Sequence, residues 1–366
     1  MIKPLRLTTA ILSAFLINST ALTAQQIGDG DGPPDFTPDP LPFSVQTDFP
    51  DRPTDDQTVL IVGAAEAFIE TLDDAQRAAV SFEFQDNAQR PNWSNLPDGL
   101  YKRAGVKRGD MSDTQLAALD DLLKALLSEE GFDNAHHQMA ADGELTTGPF
   151  IYGPGSYYIN FLGTPSENQP WMVQFGGHHL AINATVYGSD VEFSPMLTGG
   201  EPLRITFEDE EFYIASNETR AAETFMQSLD PDQIAKAVIS DERLEMLLGP
   251  GTFGTVLVPE GIRGSDLTEV QKALLLEVIG ARVGFINSDD AKTVMDRASA
   301  ELEDTIFGWW GPQEILGAAY FRISAPSLVM EYAPDVIGGG TDYTDHAHNS
   351  FRNPKNDYAV EWISTK

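Results

Sequence analysis

The 366-residue chain contains no cysteine. That absence excludes disulfides, thiolate metal sites, cysteine nucleophiles and a lipid anchor on an N-terminal cysteine, so any bound metal takes nitrogen and oxygen donors. Stability must then come from core size, which a chain of this length supplies as two domains or lobes. Basic residues are scarce as well, 23 against 56 acids, for a net charge of −33. Such a surface repels nucleic acid and anionic lipid, so no nucleic-acid partner is expected. The acids are spread along the chain, the pattern of a solvated surface rather than of an acidic tail. Beyond the first two dozen residues no apolar run is long enough to span a bilayer. A Gly-x-Ser-x-Gly elbow, a phosphate loop, His-Glu-x-x-His and a dinucleotide fingerprint are all absent, which removes the commonest hydrolase and nucleotide signatures.

The start of the chain carries Lys3 and Arg6, then an apolar and small-residue run from Leu7 to Ala21 leading into Ala21-Leu-Thr-Ala24. This predicts a signal peptide over residues 1–24, cut after Ala24, and hence an exported protein, periplasmic or secreted and free of the membrane once cleaved. A retained anchor is the alternative, for which the run is short and interrupted by Thr and Ser. Cleavage removes two positive charges and no acid, taking the balance from −33 to −35. Residues 25–55 are rich in Asp, Gly and Pro, as in Gly28-Asp-Gly-Asp-Gly-Pro-Pro, and are expected to form a flexible leader without a packed core. The Asp-Gly alternation lacks the spaced acids and closing Glu of a calcium loop.

The rest of the chain reads as one unit repeated at an offset of about 157 residues. Phe68-Ile-Glu-Thr-Leu-Asp-Asp-Ala-Gln76 parallels Phe225-Met-Gln-Ser-Leu-Asp-Pro-Asp-Gln233, and Gly105-Val-Lys107 parallels Gly261-Ile-Arg263. Ser112-Asp-Thr-Gln115 parallels Thr268-Glu-Val-Gln271, and each is a capping box that must start a helix. Leu116, Leu119, Leu122, Leu123, Leu126 and Leu127 then recur at helical spacing, as do Leu274, Leu275, Val278 and Ile279. After the helices the period changes. Tyr157–Leu162, Trp171–Phe175 and His178–Tyr187 in the first copy, and Ala319–Ser324, Leu328–Tyr332 and His346–Arg352 in the second, are aromatic and β-branched runs bounded by Gly and Pro. The expected fold is α+β: two homologous units, residues 56–215 and 216–366, each of helices followed by an antiparallel β-meander, related by a pseudo-twofold axis.

All six histidines fall into three tight groups, His136-His137, His178-His179 and His346-x-His348. Imidazole is the commonest protein ligand for transition metals and the usual acid–base group near neutral pH. In the repeat alignment Gln174 faces Glu331, and the two later histidine motifs occupy one structural slot, so they either meet at a shared cleft or form one site each. On a strand His346 and His348 point the same way, whereas only one of His178 and His179 can join them. His346, His348, one of the His178-His179 pair and Glu331 would make a nitrogen and carboxylate set suited to one zinc, copper or iron ion. The bland alternative is a hydrogen-bonded polar cluster with Glu331, Asn183 and Arg352. His136-His137 follows Gly131, which is expected to end the preceding helix, and reads as surface or supporting structure. Glu201 reads as a turn acid or as a carboxylate at the rim of the site. Trp171 and Trp309-Trp310 read as core.

The segments Trp171-Met-Val-Gln-Phe-Gly-Gly-His-His-Leu-Ala-Ile-Asn183, Ser194-Pro-Met-Leu-Thr-Gly-Gly-Glu-Pro202 and His346-Ala-His-Asn-Ser-Phe-Arg-Asn-Pro-Lys-Asn-Asp-Tyr358 resemble the hallmarks of the DUF3500 family. The resemblance covers nearly the whole chain after the leader. It implies an exported or cell-envelope protein of environmental bacteria, with the two histidine motifs and Arg352 as its polar signature, and lends no activity, catalytic residue or cofactor.

Two functions remain open. One is a metal-dependent hydrolase or oxygenase-like enzyme, in which His346, His348 and His179, or its neighbour His178, hold the ion, Glu331 is ligand or general base, and Arg352 clamps an anionic group of a small-molecule substrate. The other is a non-catalytic exported protein that binds a metal or a small ligand through the same residues.

Overall fold

The structure is a computed structural model that describes residues 37–145, 150–337 and 340–365. The expected signal peptide, and the leader as far as residue 36, lie outside the described residues. Residues 37–55, expected to stay out of any core, are packed down instead: Leu41 and Val45 are buried, Val45 bridges Ser364, and the Arg52 guanidinium lies 3.8 Å from the centre of the Tyr187 ring. The Asp-Pro composition hid three apolar anchors, Leu41, Phe43 and Val45, that fasten this stretch to the C-terminal residues.

Helices form where the capping chemistry places them. Helices α1 (Asp56–Glu70) and α2 (Asp74–Val80) precede two short strands, β1 (Ser81–Phe82) and β2 (Val106–Lys107), and then α3 (Asp113–Leu126) and α4 (Glu129–Glu144). In the second half α5 (Ser216–Gln227), α6 (Pro231–Ala237), β10 (Val238–Ser240), β11 (Ile262–Arg263), α7 (Glu269–Val283) and α8 (Ser288–Ala300) follow in the same order. Both predicted capping boxes are present, on Ser112 and on Thr268. Each is locked to the box of the preceding short helix by paired amides, Gln115 with Gln76 and Gln271 with Gln233. The sequence-matched glycines Gly105 and Gly261 also do one job, since a Cβ on either would run into a strand carbonyl, that of Ile159 or Phe307.

The remaining strands are β3 (Tyr158–Leu162), β4 (Trp171–Gly177), β5 (Leu180–Tyr187), β6 (Asp190–Glu192), β7 (Met196–Gly200), the hairpin β8 (Arg204–Phe207) and β9 (Glu210–Tyr213), β12 (Ile306–Trp310), β13 (Tyr320–Ala325), β14 (Leu328–Pro334) and β15 (Ala347–Arg352), before a short α9 (Val360–Ile363). One large mixed sheet has the order β1-β3-β4-β5-β7-β15-β14-β13-β12-β10, with β8 and β9 apart. Counted inward from either edge the pairings match: the outermost pair is parallel, the next ones antiparallel, and β7 meets β15 at the centre. By this count β4 stands in the place of β13 and β5 in the place of β14, one strand away from the sequence alignment. By position in the sheet, the Gln174–Asn183 cross-strand pair stands where Arg322–Glu331 does on the other side, and β7 stands where β15 does. The aromatic runs could be aligned in either register, and Ile306–Trp310 supplied the strand that the sequence reading left out.

The two faces of the sheet differ. Val173, Phe175, Ile182, Ile323, Met330 and Phe351 face the helices, with Ile61, Phe68, Leu122, Phe225 and Val278, in one continuous core. The opposite face carries Gln174, Asn183, Glu331, Ser350 and Arg352, all buried beneath irregular segments around residues 83–105 and 241–261. Gln174 bonds the Arg90 carbonyl and Gln89, while Glu331 takes the amides of Leu247 and Leu248. These cover segments satisfy polar groups that burial would otherwise penalise.

Gly131 does not stop a helix. Leu127 and Ser128 separate α3 from α4, Ser128 caps α4, and Gly131 sits in its first turn where a Cβ would lie 1.9 Å from the Phe285 carbonyl oxygen. Here the two halves touch through the helical layer, with Leu127 bridging Ile286. Gly131→Ala is expected to cost about 1–3 kcal/mol by overpacking, measured by urea unfolding. An unchanged midpoint would show that the halves do not press together at this point.

Candidate functional site

The Gly176-Gly177 pair shapes the first histidine motif. A Cβ on Gly177 would lie 2.6 Å from the Tyr157 ring and one on Gly176 would lie 2.5 Å from the Leu180 carbonyl oxygen, so only glycines let β4 turn this tightly into β5. His178 and His179 occupy the two-residue turn rather than a strand. The strand rule that one must face away therefore does not apply. His179 takes φ +59, a left-handed conformation that costs a side-chain-bearing residue energy and that histidine adopts more readily than most. The turn is held by the Tyr157 hydroxyl, which donates to the His178 carbonyl at 2.8 Å.

The second motif arrives through β15. Gly199 of β7 pairs with His348, and a Cβ there would strike the Ala347 carbonyl oxygen at 2.3 Å. The close approach of these central strands sets His346 and His348 beside the β4–β5 turn. His179 Nε2 lies 3.0 Å from His346 Nε2. The ring centres of His179 and His348 are 4.9 Å apart, and those of His346 and His348 are 5.0 Å apart. One nitrogen from each of His179, His346 and His348 falls within a 4.8 Å span, and so do donor atoms of His178, His179 and Glu201. All four imidazoles are less than a tenth exposed.

Neighbouring groups orient the rings. His346 Nδ1 is 3.2 Å from the Val336 carbonyl oxygen, an acceptor only, so Nδ1 carries the proton and Nε2 keeps its lone pair toward His179. His178 Nδ1 sits 2.6 Å from the buried Asp142 carboxylate, leaving Nε2 to face Glu201 at 3.9 Å. Asn95 Nδ2 lies 3.0 Å from His348 Nε2. Carboxylate and carbonyl partners on the far nitrogen are the usual way of fixing a metal-binding imidazole. Burial, reinforced by the neighbouring imidazoles, drives the pKa of both His179 and His348 well below the ordinary histidine value, so these rings are neutral bases at physiological pH.

The two other residues expected at the site lie outside this cluster. Glu331 accepts from the amides of Leu247 and Leu248, from the Tyr320 hydroxyl at 2.6 Å and from Ser350. Arg352 donates to the carbonyls of Leu248, Gly249 and Thr252 and to Asp357 at 2.5 Å. Both side chains are committed to anchoring the second cover segment. His136 and His137 lie on α4, where His137 packs 3.9 Å from the Phe212 ring centre, against the β8–β9 hairpin. Sequence reasoning missed Asp142 and Asn95. Asp142 left a trace: with Gln138 it interrupts the buried helical stripe of Ala135 and Met139, and a carboxylate on a core-facing helical position demands a partner. Asn95, in an irregular segment, left none.

The neutral histidines set a pH dependence. With folded-state pKa values depressed below 6.5, His179 and His348 contribute fully above pH 6.5 and lose that contribution as pH falls below it. Glu192 and Asp290, pushed up to about 7 by burial, act in the opposite sense, destabilising as pH rises toward 7. Comparison of chelator-treated wild type with His179→Gln/His348→Gln isolates the imidazoles. Between pH 6.5 and 5.5 the wild type should lose on the order of 1 kcal/mol more per histidine than the variant. Parallel stability curves would refute the neutral assignment.

No curated protein and no solved structure matches the chain. The family described as protein of unknown function, DUF3500, matches residues 54–360. That span includes both halves of the sheet and every residue of the histidine cluster, and the chain belongs to the DUF3500 family.

Proposed function

We propose that this protein is an exported metal-dependent hydrolase of small molecules, with the ion held by His179, His346 and His348 and with His178 and Glu201 beside it. The observation that carries this reading is the convergence of three buried imidazole nitrogens within 4.8 Å, drawn from motifs far apart in the chain. Neutral imidazoles with one carboxylate suit zinc, copper or iron, which when bound would supply an acidified water. Glu201, partly open to solvent, is the carboxylate placed to hold a proton at that edge. Asp142 fixes the direction of His178. Glu331 and Arg352 support the cover instead. Non-catalytic metal binding is the second reading, favoured by the deep burial of all four imidazoles.

Export rests on the charged and apolar start of the chain and its small-residue cleavage site. Descent of the two halves from one duplicated unit is supported by the paired capping boxes, by Gly105 and Gly261, and by the matching strand order.

Elemental analysis of untagged protein from its native host tests the metal. About one ion per chain is expected, absent from His346→Ala/His348→Ala, held 10–100-fold more weakly by Asp142→Asn and retained by Glu331→Gln. Glu201→Gln should keep the ion and lose turnover in a hydrolase screen. An absence of stoichiometric metal in the folded wild type would end both readings, whereas metal without any hydrolysis would leave the non-catalytic one.

A further inference from the structure

Asn95 belongs to two places at once. Its side chain bonds His348 and its carbonyl accepts, at 3.5 Å, from the His179 amide. It also lines a cavity of about 240 Å³ between the two cover segments. The first segment gives this cavity Trp93, Ser94, Leu96 and Tyr101, and the second gives it Pro250. The cavity thus lies one side chain away from the histidine cluster. We propose that this cavity is the substrate chamber of the histidine site, and that it takes an uncharged, ring-sized organic molecule with Asn95 as the residue that positions it.

The lining argues for that chemistry. Among the described residues, none lining the cavity is an acid, a lysine, an arginine or a histidine, so a charged ligand would forfeit hydration without gaining a partner there. Two aromatic rings, a leucine and prolines offer flat apolar contact, while Ser94 and Asn95 offer neutral hydrogen bonding. A few placed polar groups in an otherwise apolar cavity are the usual composition of small-molecule sites. The walls are preformed. Trp93 donates through its indole nitrogen to the Tyr358 hydroxyl at 2.7 Å, Tyr101 donates to Asn92 at 2.7 Å, and Arg103 ties down the carbonyls of Ser94 and Leu96. Because the cavity needs both cover segments, it also gives a reason for the second segment to be pinned by Arg352 and Glu331. This inference rests on the reading of the histidines as a catalytic metal centre, and its test separates the two.

The probes are benzyl alcohol, benzoate and benzylammonium, which share one ring and differ in charge, with methyl β-glucopyranoside as a second neutral ring. Binding is read by saturation-transfer NMR and by the visible spectrum of the cobalt-loaded protein, alongside metal content. The neutral probes are expected to bind, the charged ones at least tenfold more weakly, and benzyl alcohol to shift the cobalt bands. Leu96→Trp, which fills the cavity, should abolish binding while metal content stays at the wild-type level. Pro38→Trp fills it from another wall and carries the test if Leu96→Trp does not fold. Metal-loaded protein that binds no neutral probe, that binds all charges alike, or that binds undiminished in both filled variants would overturn the chamber and leave the metal centre standing. Neutral-probe binding lost on filling, in a protein that takes up no metal, would support the chamber and overturn the metal centre.

Discussion

The antiparallel pairing of β7 with β15 is the constraint on which the molecule depends. Among the described strands it is the one place where the two halves share a hydrogen-bonded ladder, and it turns two half-sheets into one. Gly199 makes it possible by admitting the Ala347 carbonyl where any side chain would collide. The same close approach sets His348 beside the β4–β5 turn, so the joint that closes the fold also assembles the histidines. Motifs about 170 residues apart thereby meet at one point, so the two histidine motifs form one cluster rather than two separate ones.

A sheet buried on both faces must satisfy its polar side chains or omit them. Toward the helices this chain omits nearly all of them. On the other face it keeps a row of amides and charges and answers each from a cover segment: Gln89 and the Arg90 carbonyl for Gln174, the Leu247 and Leu248 amides for Glu331, three carbonyls and Asp357 for Arg352. Such contacts specify where an irregular segment lies better than apolar packing does, because each donor and acceptor has one direction. The segments can then carry precise groups such as Asn95 without being helix or strand.

Helix starts were legible in the sequence because a capping box is a local signal, and Ser112 and Thr268 begin helices as read. That the histidine motifs would come together was legible because imidazole is rare and its pairing along the chain is informative. Their geometry was not. The turn at His178-His179 depends on Tyr157 and two glycines, and alternation along an assumed strand pointed one histidine away. Glu331 and Arg352 stand apart from the histidines because a buried charge needs partners, and the sequence shows the charge without the carbonyls and amides that meet it. Gly131 shows the same limit. A glycine within a helical stretch reads as a stop, whereas its missing side chain serves a neighbour 154 positions away, at Phe285.

Charge gives the cluster its final logic. His179 and His348 are held neutral by burial and by one another, so they bring lone pairs and no positive charge. Two carboxylates attend the group, Asp142 on His178 Nδ1 and Glu201 beyond its Nε2. His179 and His348 resist protonation first because burial strips water from the charged form and second because charge on a neighbouring imidazole would repel it. A dication would match both carboxylates at once, replace the proton between His179 Nε2 and His346 Nε2, and use the lone pairs that the Val336 carbonyl and Asp142 direct inward. Burial that disfavours imidazolium penalises a bare dication as well, so a bound ion would have to draw its compensation from these nitrogens and the two carboxylates.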